Sequence, residues 1–138
     1  LNLGILATEN DKITMHYALR SNKTWALNFL KERLELFYQT AQFETQSGGF
    51  YPPWEYNENS PLRELYKECY FNQNGKEIKV EAIHAGLECA VFSANMQGLD
   101  CISVGPNLFD VHTVNEKLSI SSTINTFNLL LKVLEKSK

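Results

Sequence analysis

Two of the chain's histidines, one arginine and one glutamate are the residues whose types and placement could do chemistry. His112 stands in Asp110-Val111-His112-Thr113, shortly after Gly105-Pro106. An imidazole in such a polar turn can give one nitrogen to a metal ion while a carboxylate or carbonyl holds the other. The competing reading is an ordinary surface-loop histidine. His84 closes the run Val80-Glu81-Ala82-Ile83 and precedes Ala85-Gly86. That glycine permits close backbone approach or a positive φ before a helix. The helix would aim free amides at a carboxylate or an oxyanion; alternatively, Gly86 serves only the packing of a strand-to-helix turn. Glu88 falls in the first helical turn, where it either complements the helix dipole or meets a substrate ammonium. Arg20 ends an alternating strand, either as a two-pronged carboxylate clamp or as a solvated strand-end charge. Cys89 beside His84 or His112 suggests a thiol nucleophile, but its place one turn into an amphipathic helix fits a small buried residue better. A metal site from His84 and His112 alone lacks a third ligand, with Asp110 and Glu88 available.

Rigid elements must carry these groups. Residues 2–8 and 12–20 read as two strands joined through Glu9-Asn10-Asp11, a hairpin. Ile13, Met15, Tyr17 and Leu19 alternate with Thr14, His16 and Ala18, so one face should be buried. Ser21-Asn22 starts a helix ending near Gln42, with Leu27, Leu30, Leu34, Phe37, Tyr38 and Ala41 on one face. Phe43 to Ser47 returns as a strand, broken by Gly48-Gly49. Residues 1–50 thus form a β-β-α-β unit, a piece of a ferredoxin-like layer. The Pro52-Pro53 pair and the asparagines after it mark a boundary over 51–59. Ser60-Pro61 opens a helix to about Asn72 with Leu62, Leu65, Tyr66 and Cys69 inward, and Asn74-Gly75 turns the chain. Strands over 77–83 and 101–104, a helix over 87–96 and a last helix over 121–135 complete an α-β-α-β-α stretch across 60–138. The apolar stripe of that last helix is Ile124, Phe127, Leu131 and Leu134. The class is α/β.

Composition limits the partners. Among 138 residues, 43% are apolar, enough for a real core in one domain or two small pieces. The formal net charge is −3, and the lysines and arginines are scattered, which argues against a nucleic-acid surface. No apolar run is long enough for a membrane span, and the N-terminus has no signal-peptide pattern. Cys69, Cys89 and Cys101 are odd in number and without Cys-x-x-Cys spacing, which reads as reduced thiols in the cytoplasm. Leu1 is read as a cut point within a longer protein.

Taken together, Val80-Glu81-Ala82-Ile83-His84-Ala85-Gly86-Leu87-Glu88-Cys89, Ile102-Ser103-Val104-Gly105-Pro106-Asn107, Asp110-Val111-His112-Thr113 and Glu116-Lys117-Leu118-Ser119-Ile120 closely resemble the C-terminal end of bacterial aminoacyl-histidine dipeptidases. These Xaa-His or cytosol non-specific dipeptidases are zinc metallopeptidases of the carnosinase and aminoacylase type. Leu1-Asn2-Leu3-Gly4, Leu19-Arg20-Ser21, Gly49-Phe50-Tyr51-Pro52-Pro53-Trp54 and Asn59-Ser60-Pro61-Leu62 extend the likeness over essentially the whole chain.

The resemblance implies that His112 is a zinc ligand, that Arg20 on a lid clamps the substrate's terminal carboxylate, and that Gly86 touches substrate through its backbone. His84 and Glu88 lie in the motif without an assigned role. It further implies the end of a lid or dimerisation domain over 1–50, a hinge over 51–59 and the end of a catalytic domain over 60–138. Such enzymes use two bridged zinc ions, a water between them and a glutamate base. Their other ligands and catalytic carboxylates would lie upstream of residue 1. The departures are Ala90 where glycine is usual, Val114-Asn115 for a frequent Pro-Asp, and a second proline where glycine is common. The expectation is a portion of a dipeptidase acting on dipeptides such as Xaa-His, inactive alone and needing the missing N-terminal segment. The alternative is an interaction module that forms a homodimer through the β-β-α-β unit.

Overall fold

The computed structural model describes residues 1–83 and 87–138. His84 and Gly86, two of the candidate site residues, lie outside the described residues. The chain divides into two compact units: Leu1–Tyr56 with Ala82–Gln97, and Asn57–Glu81 with Gly98–Lys138.

In the first unit, β1 (Asn2–Glu9) and β2 (Lys12–Ala18) form an antiparallel hairpin. Glu9 faces Lys12 across the two-residue turn, and Asn10 takes a positive φ of 49°, a conformation asparagine tolerates better than most residues. The register shifts between Leu3 and Ile5, leaving Gly4 without a partner, as in a bulge. Helix α1 (Thr24–Thr40) follows. Tyr38 of α1 meets Tyr17 of β2 with ring centroids 5.8 Å apart; their hydroxyls share a hydrogen bond, and the hydroxyl that accepts it can donate to the Met15 sulfur, which lies within reach of both. Met15, Tyr17 and Leu19 are half-buried as the alternation requires, whereas Ile13 is exposed. Of the expected stripe on α1, Leu27 is buried and Phe37 is exposed. Helix α3 (Glu88–Asn95) completes the unit and buries Ala90.

The residue at the N-cap of α1 is Lys23, whose side chain caps nothing. Glu55, far along the chain, takes that place. Its carboxylate accepts from the Thr24 amide and hydroxyl, each at 2.9 Å, and from Lys23 Nζ at 3.2 Å. The Thr24 amide and then the Thr24 hydroxyl are the main reasons its carboxyl stays below the ordinary glutamate range. A lowered folded-state value means the contribution is complete above the unfolded value and is lost as pH falls through the folded one. Glu55→Ala should cost about 1 kcal/mol, as cap removals do. In urea melts its deficit should shrink on acidification below the usual carboxylate range.

In the second unit, α2 (Pro61–Asn74) has the start and stop its sequence announces. Ser60 Oγ accepts from the Arg63 amide at 3.1 Å, and Gly75 adopts a left-handed φ of 67°. Asp100 adds a second cap by accepting from the Leu62 amide at 2.9 Å. The Arg63 guanidinium donates to the Asn57 and Glu58 carbonyls, which ties down the chain entering the helix. A short hairpin of two-residue strands, β3 (Leu108–Phe109) with β4 (Lys117–Leu118), leads into α4 (Ile120–Lys136). Helices α2 and α4 enclose the core of Tyr66, Cys69, Leu129 and Val133, with Leu62, Leu65, Tyr70, Ile78 and Ile102 against it. Gln73 Nε2 donates to Asn125 Oδ1 and to its carbonyl, each at 2.8 Å, and Lys136 pairs with Glu68 at 2.6 Å.

The α/β class holds, as two small antiparallel sheets and four helices among the described residues. Three strands expected within it do not form. Residues 43–47, 77–83 and 101–104 lie outside any ladder. A strand exists by exchanging hydrogen bonds with a neighbour, and these segments find none among the described residues. The last helix also turns differently from its pattern. It buries Leu129 and Val133, while Ile124, Phe127, Leu131 and Leu134 are exposed. Apolar residues occupy more than one side of α4, and α2 packs on the side with the smaller total bulk. Among the described residues, no helix is long and apolar enough to cross a membrane.

Candidate functional site

His112 sits at the tip of the loop joining β3 to β4. The hairpin base is anchored to the start of α4: the Ser119 amide donates to the Asn107 carbonyl at 3.0 Å, and the Asn107 amide donates to Ser122 Oγ at 2.9 Å. Ser119 in turn caps α4 by accepting from the Ser122 amide. The loop therefore rises from a fixed base.

Its backbone is unusual at two positions. Asp110 has φ 51° and His112 has φ 65°, both in the left-handed region. Asp and His enter that region more readily than most residues, yet each such position costs on the order of 1–2 kcal/mol. Hydrogen bonds hold the loop there. The Asp110 carbonyl accepts from the Thr113 hydroxyl at 2.7 Å and from the Thr113 amide at 3.2 Å. Thr113 Oγ1 accepts from the Asn115 amide at 3.2 Å. The Thr113 carbonyl accepts from the Glu116 amide at 3.2 Å. Glu116 Oε2 accepts from the His112 amide at 2.7 Å, a short, charge-assisted bond. His112 itself is exposed, and among the described residues nothing occupies either ring nitrogen.

This arrangement suits a metal donor in kind, because an exposed imidazole on a hydrogen-bonded loop is a good zinc ligand. It is incomplete in number. Among the described residues, no three His, Cys, Asp or Glu side chains gather where they could hold an ion, and zinc sites need at least three protein ligands.

The other candidates belong to the first unit. Arg20 lies just past the end of β2, exposed and without an ion pair among the described residues. Glu88 is the first residue of α3, exposed, in the turn where a carboxylate offsets the helix dipole. Tyr51 donates its hydroxyl to the Leu87 carbonyl, fixing the entry to that helix. The sequence reading missed Glu116, Glu55 and Arg63 as loop and chain holders. Only Glu116 left a signal, since it stands in the motif that carried the resemblance.

No family model matches the chain. Over 135 residues it is 29% identical to the cytosol non-specific dipeptidase of Escherichia coli (strain K12), an alignment covering 98% of this chain and 28% of that protein. This chain resembles part of a dipeptidase. The aminoacylhistidine dipeptidase from Vibrio alginolyticus, a solved structure, superposes on 98% of it with a TM-score of 0.79 and 24% identity, again over 28% of that structure. The chain thus spans less than a third of the length of both dipeptidases. The structural match shows that the fold is shared.

Proposed function

We propose that this chain is the C-terminal portion of a cytoplasmic, zinc-dependent dipeptidase that hydrolyses dipeptides, Xaa-His among them. The observation that carries the reading is the alignment of 98% of the chain to a cytosol non-specific dipeptidase, with the ordered His112 loop inside it. In this reading residues 1–50 end the lid, 51–59 form the hinge and 60–138 end the catalytic domain.

The chain's own residues would bind and orient. Arg20 would receive the substrate's terminal carboxylate in a two-pronged grip. The backbone at Gly86 would contact the substrate, with His84 and Glu88 beside it in the motif. His112 would offer one imidazole nitrogen to the metal, held in place by its loop. Zinc, when bound, supplies a Lewis acid and an activated water. Its remaining ligands and the general base would come from the rest of the enzyme, the missing N-terminal segment, so the chain alone performs no hydrolysis.

Equilibrium dialysis of the pure chain against zinc, with β-alanyl-histidine hydrolysis assayed on the same sample, tests this. The expected result is no stoichiometric zinc and no turnover. Stoichiometric zinc with turnover would show a complete site within the chain and refute its reading as a portion.

A further inference from the structure

The Thr113 amide and hydroxyl converge on the Asp110 carbonyl, closing a four-residue turn with Val111 and His112 at its centre. Such a bond is compatible with either sign of φ at the third residue, and the orientation of the peptide between the two central residues decides which. The N–H of that peptide is the His112 amide. Among the described residues Glu116 takes it, its Oε2 reaching back four residues to the amide at 2.7 Å, and His112 is left-handed. Backbone φ at this residue sets the direction of its Cα–Cβ bond, and so the direction in which the imidazole leaves the loop.

We infer that Glu116 is a positioning residue for His112: its carboxylate grips the His112 amide, keeps that residue left-handed and thereby aims the imidazole. The inference rests on His112 being the metal ligand proposed above, and it gives Glu116 a role in the same site without contact to metal or substrate. The β3–β4 hairpin makes this workable. Glu116 directly precedes β4 (Lys117–Leu118), which is paired with β3 and followed by the capped start of α4. The carboxylate is therefore presented from the fixed end of the loop toward its tip. Glutamine keeps an acceptor oxygen at the same reach, whereas alanine has none.

The test uses the 138-residue chain itself, by NMR, comparing wild type with Glu116→Gln and Glu116→Ala. Two quantities are read at His112: the amide hydrogen-exchange rate, and φ from three-bond scalar couplings. In Glu116→Ala the His112 amide should exchange about tenfold faster or more, as expected for losing a bond to a charged acceptor. Its couplings should leave left-handed values. Glu116→Gln should restore left-handed φ and most of the protection. Unchanged amides in the α2–α4 core would confirm that each variant is folded. If Glu116→Ala keeps both protection and left-handed φ, the inference is overturned. It is also overturned if exchange accelerates while φ stays left-handed, because Glu116 would then close a loop without aiming anything. None of these outcomes depends on zinc, so failure of the metal-ligand reading, which shows in metal binding, remains separate.

Discussion

Leu129→Ala should destabilise the second unit by about 2–5 kcal/mol, the range for leucine truncation in a packed core. Leu129 is 1% exposed and packs in one cluster with Tyr66, Cys69 and Val133. That cluster is small, so its other members can close only part of the space left by the lost side chain. A domain stable by about 5–15 kcal/mol would lose much of its margin, and urea denaturation monitored by circular dichroism should show the midpoint fall. Phe127→Ala is the control. Phe127 is larger and lies on the stripe that the sequence pattern marks as inward, yet it is 60% exposed. Its truncation should stay within about 0.5 kcal/mol of wild type, as surface changes do. A larger penalty for Phe127→Ala than for Leu129→Ala would reverse the assignment of the packed face.

The second large effect concerns metal. In a chimera in which this chain replaces the matched part of the Escherichia coli dipeptidase, His112→Ala should weaken zinc binding well beyond the roughly 10–100-fold typical of changes behind a ligand. In the proposed role of His112, the change removes a direct donor and would leave the ion short of a protein ligand, and loss of dipeptide hydrolysis should follow the loss of metal. The alanine is also better suited than histidine to leave the left-handed region, so loop protection must be read alongside the metal. Competition with a chromogenic chelator gives the affinity. Zinc held as tightly by His112→Ala as by the unmodified chimera would remove His112 from the ligand set.

How far the fold could be read in advance depended on where its determinants lie. Helix α2 was legible at both ends because its signals are local: Ser60 and Pro61 begin it and Gly75 ends it. The β1–β2 hairpin was legible for the same reason, through alternation and an asparagine turn. The segments 77–83 and 101–104 carry strand-like patterns, but pairing depends on a neighbouring backbone, which no local pattern supplies. On α4 the periodicity located the helix and misjudged its buried side, because apolar residues lie on two sides and only the partner helix decides between them. At the candidate site, residue types pointed to His112 and Arg20, and the resemblance gave them roles. The left-handed pair Asp110 and His112 was not legible, because it depends on hydrogen bonds from Thr113 and Glu116 that form only once the hairpin closes. The cap on α1 was hidden by distance, since Glu55 lies 31 residues beyond Thr24.

The left-handed φ of 65° at His112 also narrows what evolution can try there. Of the side chains able to donate to a metal, aspartate shares histidine's tolerance of this backbone region, and cysteine has no such advantage. In the proposed ligand role, a drift from imidazole to carboxylate would keep a residue that this backbone accepts while changing the reach, hardness and charge of the donor. A drift to thiolate would first have to bear the cost of the backbone. The loop's conformation thus limits which donors could replace His112 in that proposed role.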